Sequence, residues 1–170
     1  MPSLKEFRLR IATVKSTAQI TRALQMVATA KLRRAQEAAQ AARPYATRMA
    51  SVIANLAAGA AGPGAPKLIA GTGSDEVHLL VVMTAERGLC GGFNANIAKK
   101  ARQEIKRLRD AGKQVKILTI GKKGNDSLRR EYRDLIVDYI TLREVRSLSF
   151  ANADEIANRV VALFQQGAFD

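Results

Sequence analysis

The sequence predicts an α/β protein in two parts: a long N-terminal coiled-coil helix, then a Rossmann-like α/β layer on a three-stranded parallel sheet. Three observations predict it. Apolar residues recur at heptad spacing from Leu4 to Leu56. A stretch rich in glycine, proline and small residues occupies 59–75. Beyond it, short apolar runs alternate with charged helical segments in the order β-α-β-α-β-α, which gives a parallel sheet. The expected organisation is a shaft helix over 1–58, a linker over 59–75 and a base domain over 76–170.

The helix is expected from Ser3, which with Glu6 three residues on forms an S-x-x-E capping box. No glycine precedes Gly59, and alanine is abundant. One seam reads Leu4, Ile11, Ala18, Gln25, Leu32, Ala39, Ala46, Ile53; its companion reads Phe7, Val14, Thr21, Ala28, Ala35, Ala42, Met49, Leu56. Only Thr21 and Gln25 are polar, so the pattern is that of a left-handed coiled coil roughly 80 Å long. Pro44 is the one breaker, and a bend or local irregularity is expected there. Near Thr21 and Gln25 the seam weakens, while Ile20, Leu24, Met26 and Val27 spread apolar surface to other faces. That is either a stutter in the coiled coil or a tip that enters an apolar collar made by other chains.

In the second part, 77–83 reads as a buried strand and 94–111 as a helix with Asn94 as its N-cap. A second strand follows over 115–120, then the turn GKKGND, a short helix near 126–130, a third strand over 135–140, and a last helix over 151–165.

Composition narrows the functional classes. With 47% hydrophobic and 25% charged residues the chain is globular in character. No run of about 18 apolar residues marks a membrane helix, and the charged start from Lys5 is unlike a signal peptide. A single cysteine cannot form an internal disulfide, which suits a reducing compartment. The net charge is +13, of which residues 1–58 carry +8, ten Lys/Arg against Glu6 and Glu37. A basic arm suggests an acidic partner: nucleic acid, anionic lipid or an acidic protein surface. The absence of tryptophan and the 5% aromatic content weigh against a base-stacking platform.

The chemical motifs are sparse. TAERGLCGGFNANI, residues 84–97, places Gly88, Gly91 and Gly92 around Cys90 between a strand and a helix. Its spacing matches neither G-x-x-x-x-G-K-[ST] nor G-x-G-x-x-G, so it reads as a structural turn ahead of a ligand cradle. Cys90 reads as a buried or semi-buried structural thiol, since the one histidine, His78, lies near the far end of the preceding strand. His78 alone builds no metal site, and Asp75 with Glu76 reads as a solvated strand entry. Lys122 and Lys123 in GKKGND are weaker candidates for anion binding. No catalytic residue, cofactor or metal site is expected.

Two segments, TAQITRALQMVATAKLRRAQ (17–36) and ERGLCGGFNANI (86–97), together resemble the gamma subunit of F-type ATP synthase, in the order and approximate spacing of that family. The resemblance extends over essentially all 170 residues. It implies a non-catalytic rotor shaft whose N- and C-terminal helices pair inside a ring of alpha and beta subunits. It also implies a base domain against the epsilon subunit (delta-type in mitochondria) and the c-ring, with membrane contact only through other subunits. On that resemblance Ile20, Arg22, Leu24, Met26, Val27, Lys31, Arg33 and Arg34 are expected to face the alpha/beta ring. Lys99, Arg102, Lys106 and Arg109 are weaker candidates for epsilon or the c-ring, or simply a solvated face. Gly88, Cys90, Gly91, Gly92 and Asn94 become a structural signature of the base.

The family chain is longer, and the heptad seam has no partner helix of matching length here, so either another chain supplies it or this chain is incomplete. The lack of a leader-like stretch before Ser3 points to the cytoplasmic face of a bacterial inner membrane, or the matrix face if mitochondrial. The competing reading is a basic coiled-coil protein that binds nucleic acid.

Overall fold

A computed structural model describes residues 3–59 and 65–170, and the chain divides into two compact units, Met1–Pro63 and Gly64–Asp170. The expectations about a leader before Ser3 and about linker residues 60–64 fall outside the described residues.

Among its described residues the first unit holds one helix, α1 (Leu4–Gly59), with no buried residue. The capping box forms in both directions: the Ser3 amide donates to Glu6 Oε2 at 2.7 Å, and the Glu6 amide donates to Ser3 Oγ at 3.3 Å. Helical backbone continues through Pro44. A proline ring removes one donor and crowds the preceding turn, a local loss within a helix that continues on both sides. Thr13, Thr17 and Thr21 each return a hydroxyl to the carbonyl four residues earlier, at 3.0, 3.0 and 2.8 Å. Such bonds satisfy the hydroxyls locally but add no cohesion between elements. The seam residues Leu4, Ile11, Val14, Leu32, Ile53 and Leu56 are all exposed, so this helix displays its apolar stripe instead of burying it.

In the second unit, a four-residue helix α2 (Lys67–Ala70) leads to β1 (Val77–Met83), α3 (Phe93–Asp110), β2 (Gln114–Ile120), α4 (Lys122–Tyr132), one 3-10 turn (Arg133–Leu135), β3 (Ile136–Ile140) and α5 (Phe150–Gln165). The strands lie in the order β1-β2-β3, both pairs parallel, with a register shift between Ile117 and Leu118. α3 turns Ala98, Ala101, Ile105 and Leu108 inward at helical spacing. Ala101, Ile105 and Leu108 pack with Val82, Val115, Ile117 and Leu128 into the core, supported by Leu80, Ile97, Tyr132 and Ile136. The run Ile117–Ile120 of β2, apolar but for Thr119 and with all four residues buried, suits the central strand, which has a neighbour on each side. α5 is tied to β3 by the Arg159 guanidinium on the Asp138 carboxylate and buries Leu163.

The GKKGND segment differs from the expected turn. α4 already begins at Lys122 and runs to Tyr132. The two glycines serve close approach: a Cβ on Gly121 would lie 2.1 Å from the Thr84 carbonyl oxygen, and one on Gly124 would lie 2.7 Å from Thr84 Oγ1. Gly121 also has φ +90, so it ends the strand, while Gly124 sits inside a helix because Thr84 leaves no room for a side chain.

Candidate interaction surfaces and the glycine loop

Thr84 and its successors organise the loop edge of the second unit. The chain leaves β1 and lays three acceptors along the start of α4. The Gly124 amide donates to Thr84 Oγ1 at 2.7 Å, the Lys123 amide to the Ala85 carbonyl at 3.2 Å, and the Lys122 amide to Glu86 Oε2 at 3.2 Å. The first amides of a helix are the donors that hold anions in phosphate-binding loops. Here protein groups occupy them, and Lys122 Nζ pairs with Asp126. GKKGND is therefore a closed helix start and no anion cradle.

The glycine loop itself stands out from the surface. Leu89 has φ +62, the only positive value on a non-glycine among the described residues, and it is fully exposed. Cys90 is exposed, contrary to the buried or semi-buried thiol expected, because nothing in this unit packs over the protruding loop. Its sulfur accepts from Asn94 Nδ2 at 2.9 Å. Asn94 is not the N-cap either: α3 starts at Phe93 behind Gly92, and Asn94 Oδ1 instead accepts the Ala85 amide at 3.0 Å. Gly91 uses the left-handed region at φ +57, and a Cβ on Gly92 would press on the Asn96 side chain at 3.2 Å. Gly88 is open apart from Lys123 nearby. The loop is a built turn without a nucleophile–base pair. His78 lies at the opposite end of a seven-residue strand, roughly 20 Å away, with Nε2 3.0 Å from Asp75 Oδ1 but without a hydrogen bond.

On α1, Ile20, Leu24, Met26 and Val27 are 54–64% exposed, and Arg22, Lys31, Arg33 and Arg34 are exposed beside them. Arg33 Nε pairs with Glu37 at 2.9 Å, both well solvated, an interaction of small energy. On α3, Lys99, Lys106 and Arg109 are exposed. Arg102 is placed differently: its guanidinium donates to the Ser127 carbonyl at 2.8 Å, to Ser127 Oγ at 3.2 Å and to Glu131 Oε2 at 3.3 Å. It pins α3 to α4, which the charge pattern did not reveal.

Sequence reasoning also missed Asp170. Its carboxylate accepts from Ser74 Oγ at 2.7 Å and from the Glu76 and Val77 amides at 2.8 and 2.9 Å, while its own amide donates to the Val77 carbonyl. The Ser74 hydroxyl foremost, then the two amides, hold this carboxyl below its ordinary range. The Arg107 guanidinium does the same for Glu104. No signal short of the folded chain links residues this far apart. Among the described residues no cluster of metal-binding side chains occurs, and no helix is long and apolar enough to cross a membrane.

The sequence model of a family described as ATP synthase matches residues 3–170. The chain is 62% identical over 170 residues to the ATP synthase gamma chain of Brucella anthropi and 63% identical over 171 residues to that of Mesorhizobium japonicum. All of this chain is covered in both cases, and it spans 58% of each relative's length. Among solved structures, the rotor of the Euglena gracilis mitochondrial ATP synthase aligns with a TM-score of 0.53 at 21% identity. That alignment covers 93% of this chain and 52% of the other, and at this identity it speaks for the fold.

Proposed function

The chain belongs to the ATP synthase family, and from this we propose that it is the shaft-and-base portion of a gamma-type rotor subunit. The observation that carries the proposal is α1 itself: 56 residues of helix with an apolar seam interrupted only at Thr21 and Gln25 and no buried side chain. A soluble helix of this kind is stabilised by packing of its apolar face, so it calls for surrounding protein. A rotor shaft enclosed by a ring supplies that surrounding, and the relatives at 62% and 63% identity are gamma chains.

On this reading the catalytic chemistry belongs to the alpha and beta subunits, and this chain couples rotation of a c-ring to conformational change in their sites. Ile20, Leu24, Met26 and Val27 meet the inner surface of the ring, with Arg22, Lys31, Arg33 and Arg34 facing acidic groups there. The base unit, with Lys99, Lys106 and Arg109 on its outer helix, faces epsilon or the polar loops of the c-ring. Arg102 contributes mainly by holding that helix in place. Membrane association is then peripheral and mediated by other subunits, on the cytoplasmic face in a bacterium.

Co-purification tests the proposal directly. The full-length gamma chain carrying this sequence should come down with a ring of alpha and beta subunits, and Arg22→Glu with Arg33→Glu should weaken the coupling of ATP hydrolysis to proton pumping. Recovery of the chain without ATPase subunits, or unchanged coupling in the double variant, counts against it. Nothing in the relatives supports the nucleic-acid reading; a steep loss of duplex DNA binding with rising salt would be its signature.

A further inference from the structure

We propose that Glu86 is a positioning residue whose carboxylate acts as an internal anion for the loop edge of the base unit and so fixes the exposed loop that carries Leu89. Its functional arm rests on the rotor reading above; its structural arm does not.

One carboxylate joins the ends of all three strands. Glu86 follows β1. Its Oε2 accepts the Lys122 amide at 3.2 Å, at the helix start that follows β2. The same oxygen accepts the Thr141 hydroxyl at 3.2 Å, and Oε1 accepts the Leu142 amide at 2.6 Å, both just past β3. A negative group suits this place, since the first turn of α4 concentrates amides without partners inside the helix and the positive end of its dipole. Bonds of this charge-assisted kind are stronger than neutral ones.

The tie matters because of what lies beyond it. Residues 87–93 have Glu86 as their anchor on one side and Asn94 on the other, where Asn94 grips the Ala85 amide and the Cys90 sulfur. Between these pins Leu89 is held with φ +62 and its side chain fully in solvent. A left-handed leucine is strained and persists only where its surroundings dictate it. No packing on Leu89 dictates it here, so the two pins do. The loop is thereby presented in one shape instead of many, which lowers the ordering cost of any contact it makes.

The test is amide hydrogen exchange on the full-length gamma chain, with Glu86→Ala and Glu86→Gln. In Glu86→Ala the amides of Lys122 and Leu142 should exchange roughly tenfold faster or more, while core amides such as Ile105 and Leu118 keep their rates. Acetate at roughly 0.1 M should restore much of the lost protection by filling the vacated position. Glu86→Gln, which keeps one acceptor oxygen but no charge, should fall between, and it carries the same comparison if Glu86→Ala does not fold. In the assembled complex, Glu86→Ala should lower protons pumped per ATP hydrolysed without an equal loss of hydrolysis. Faster exchange spread evenly over the sheet and indifferent to acetate, or unchanged exchange at Lys122 and Leu142, overturns the proposal. Raised local exchange with unchanged pumping overturns the positioning role. Failure of the wild-type chain to join a ring would instead sink the rotor reading and leave the exchange result standing.

Discussion

The amide of Gly124 donates to Thr84 Oγ1 at 2.7 Å, and a Cβ placed on Gly124 would sit at the same 2.7 Å from that oxygen. The hydrogen bond and the missing side chain are one adaptation: the helix start approaches the end of β1 too closely for anything larger than hydrogen.

Gly124→Ala should therefore destabilise the base unit even though alanine favours helices. The helix gain is roughly 1 kcal/mol, while overpacking against Thr84 costs about 1–3 kcal/mol and removes a well-made bond as the helix shifts. Chemical denaturation of the single variants and of Gly124→Ala with Thr84→Ala should show non-additivity above about 0.5 kcal/mol. Additive effects would mean that the clash is relieved elsewhere.

Arg102→Ala should cost about 1–2 kcal/mol, a figure lowered from the usual charged-bond range because the side chain is 33% exposed. Arg102→Lys should recover little, since one ammonium cannot reach Ser127 and Glu131 together as the guanidinium does. Lys106→Ala and Arg109→Ala, on the solvated side, should stay within about 0.5 kcal/mol of wild type. Equal losses at all three positions would contradict the placement of Arg102 against α4.

Acid should loosen the clamp at the start of β1. The folded Asp170 carboxyl is depressed by the Ser74 hydroxyl and the Val77 and Glu76 amides. A depressed folded value means that stability is present above the unfolded carboxylate pKa, about 3.9, and is lost as pH falls through the folded value. Asp170→Asn should be less stable at neutral pH and should flatten that part of the acid unfolding profile. A profile as steep as wild type would assign the acid sensitivity to other carboxylates.

Limited trypsin digestion should cut α1 well before it cuts the base unit. α1 offers Lys31, Arg33 and Arg34 on a helix without buried residues, so cleavage should begin there. Arg102 should resist until the base unfolds, being half-buried and bonded to α4. Adding the subunits of the ring should slow the early cuts.

Much of this organisation is legible in the sequence because it depends on local period and composition. The seam from Leu4 to Leu56, the capping box of Ser3 and Glu6, and the span of β1 all follow from residues near one another. Gly124 misleads for the opposite reason. A glycine between lysine and asparagine reads as a turn, and only the approach of Thr84, forty residues upstream, shows why a helix keeps it. Cys90 misleads through the rule that lone thiols are buried, which fails on a loop pinned outward at both ends. Glu86, Arg102 and Asp170 carry no pattern at all, since their partners lie 25 to 96 residues away.

The sheet has two edges, and they are defended differently: Asp170 caps β1 only at Val77, where it takes up both the amide and the carbonyl. At β3 the Asp138 carboxylate accepts the amide of Tyr139 at 2.7 Å, which blocks a donor that another strand could use. β1 carries the uncharged, proline-free run Leu79–Met83, with Val81 and Met83 exposed. Such a run is a template for strand addition. Self-association of this chain at high concentration should therefore begin along β1, and a lysine at Val81 should raise its solubility more than a lysine at Val137.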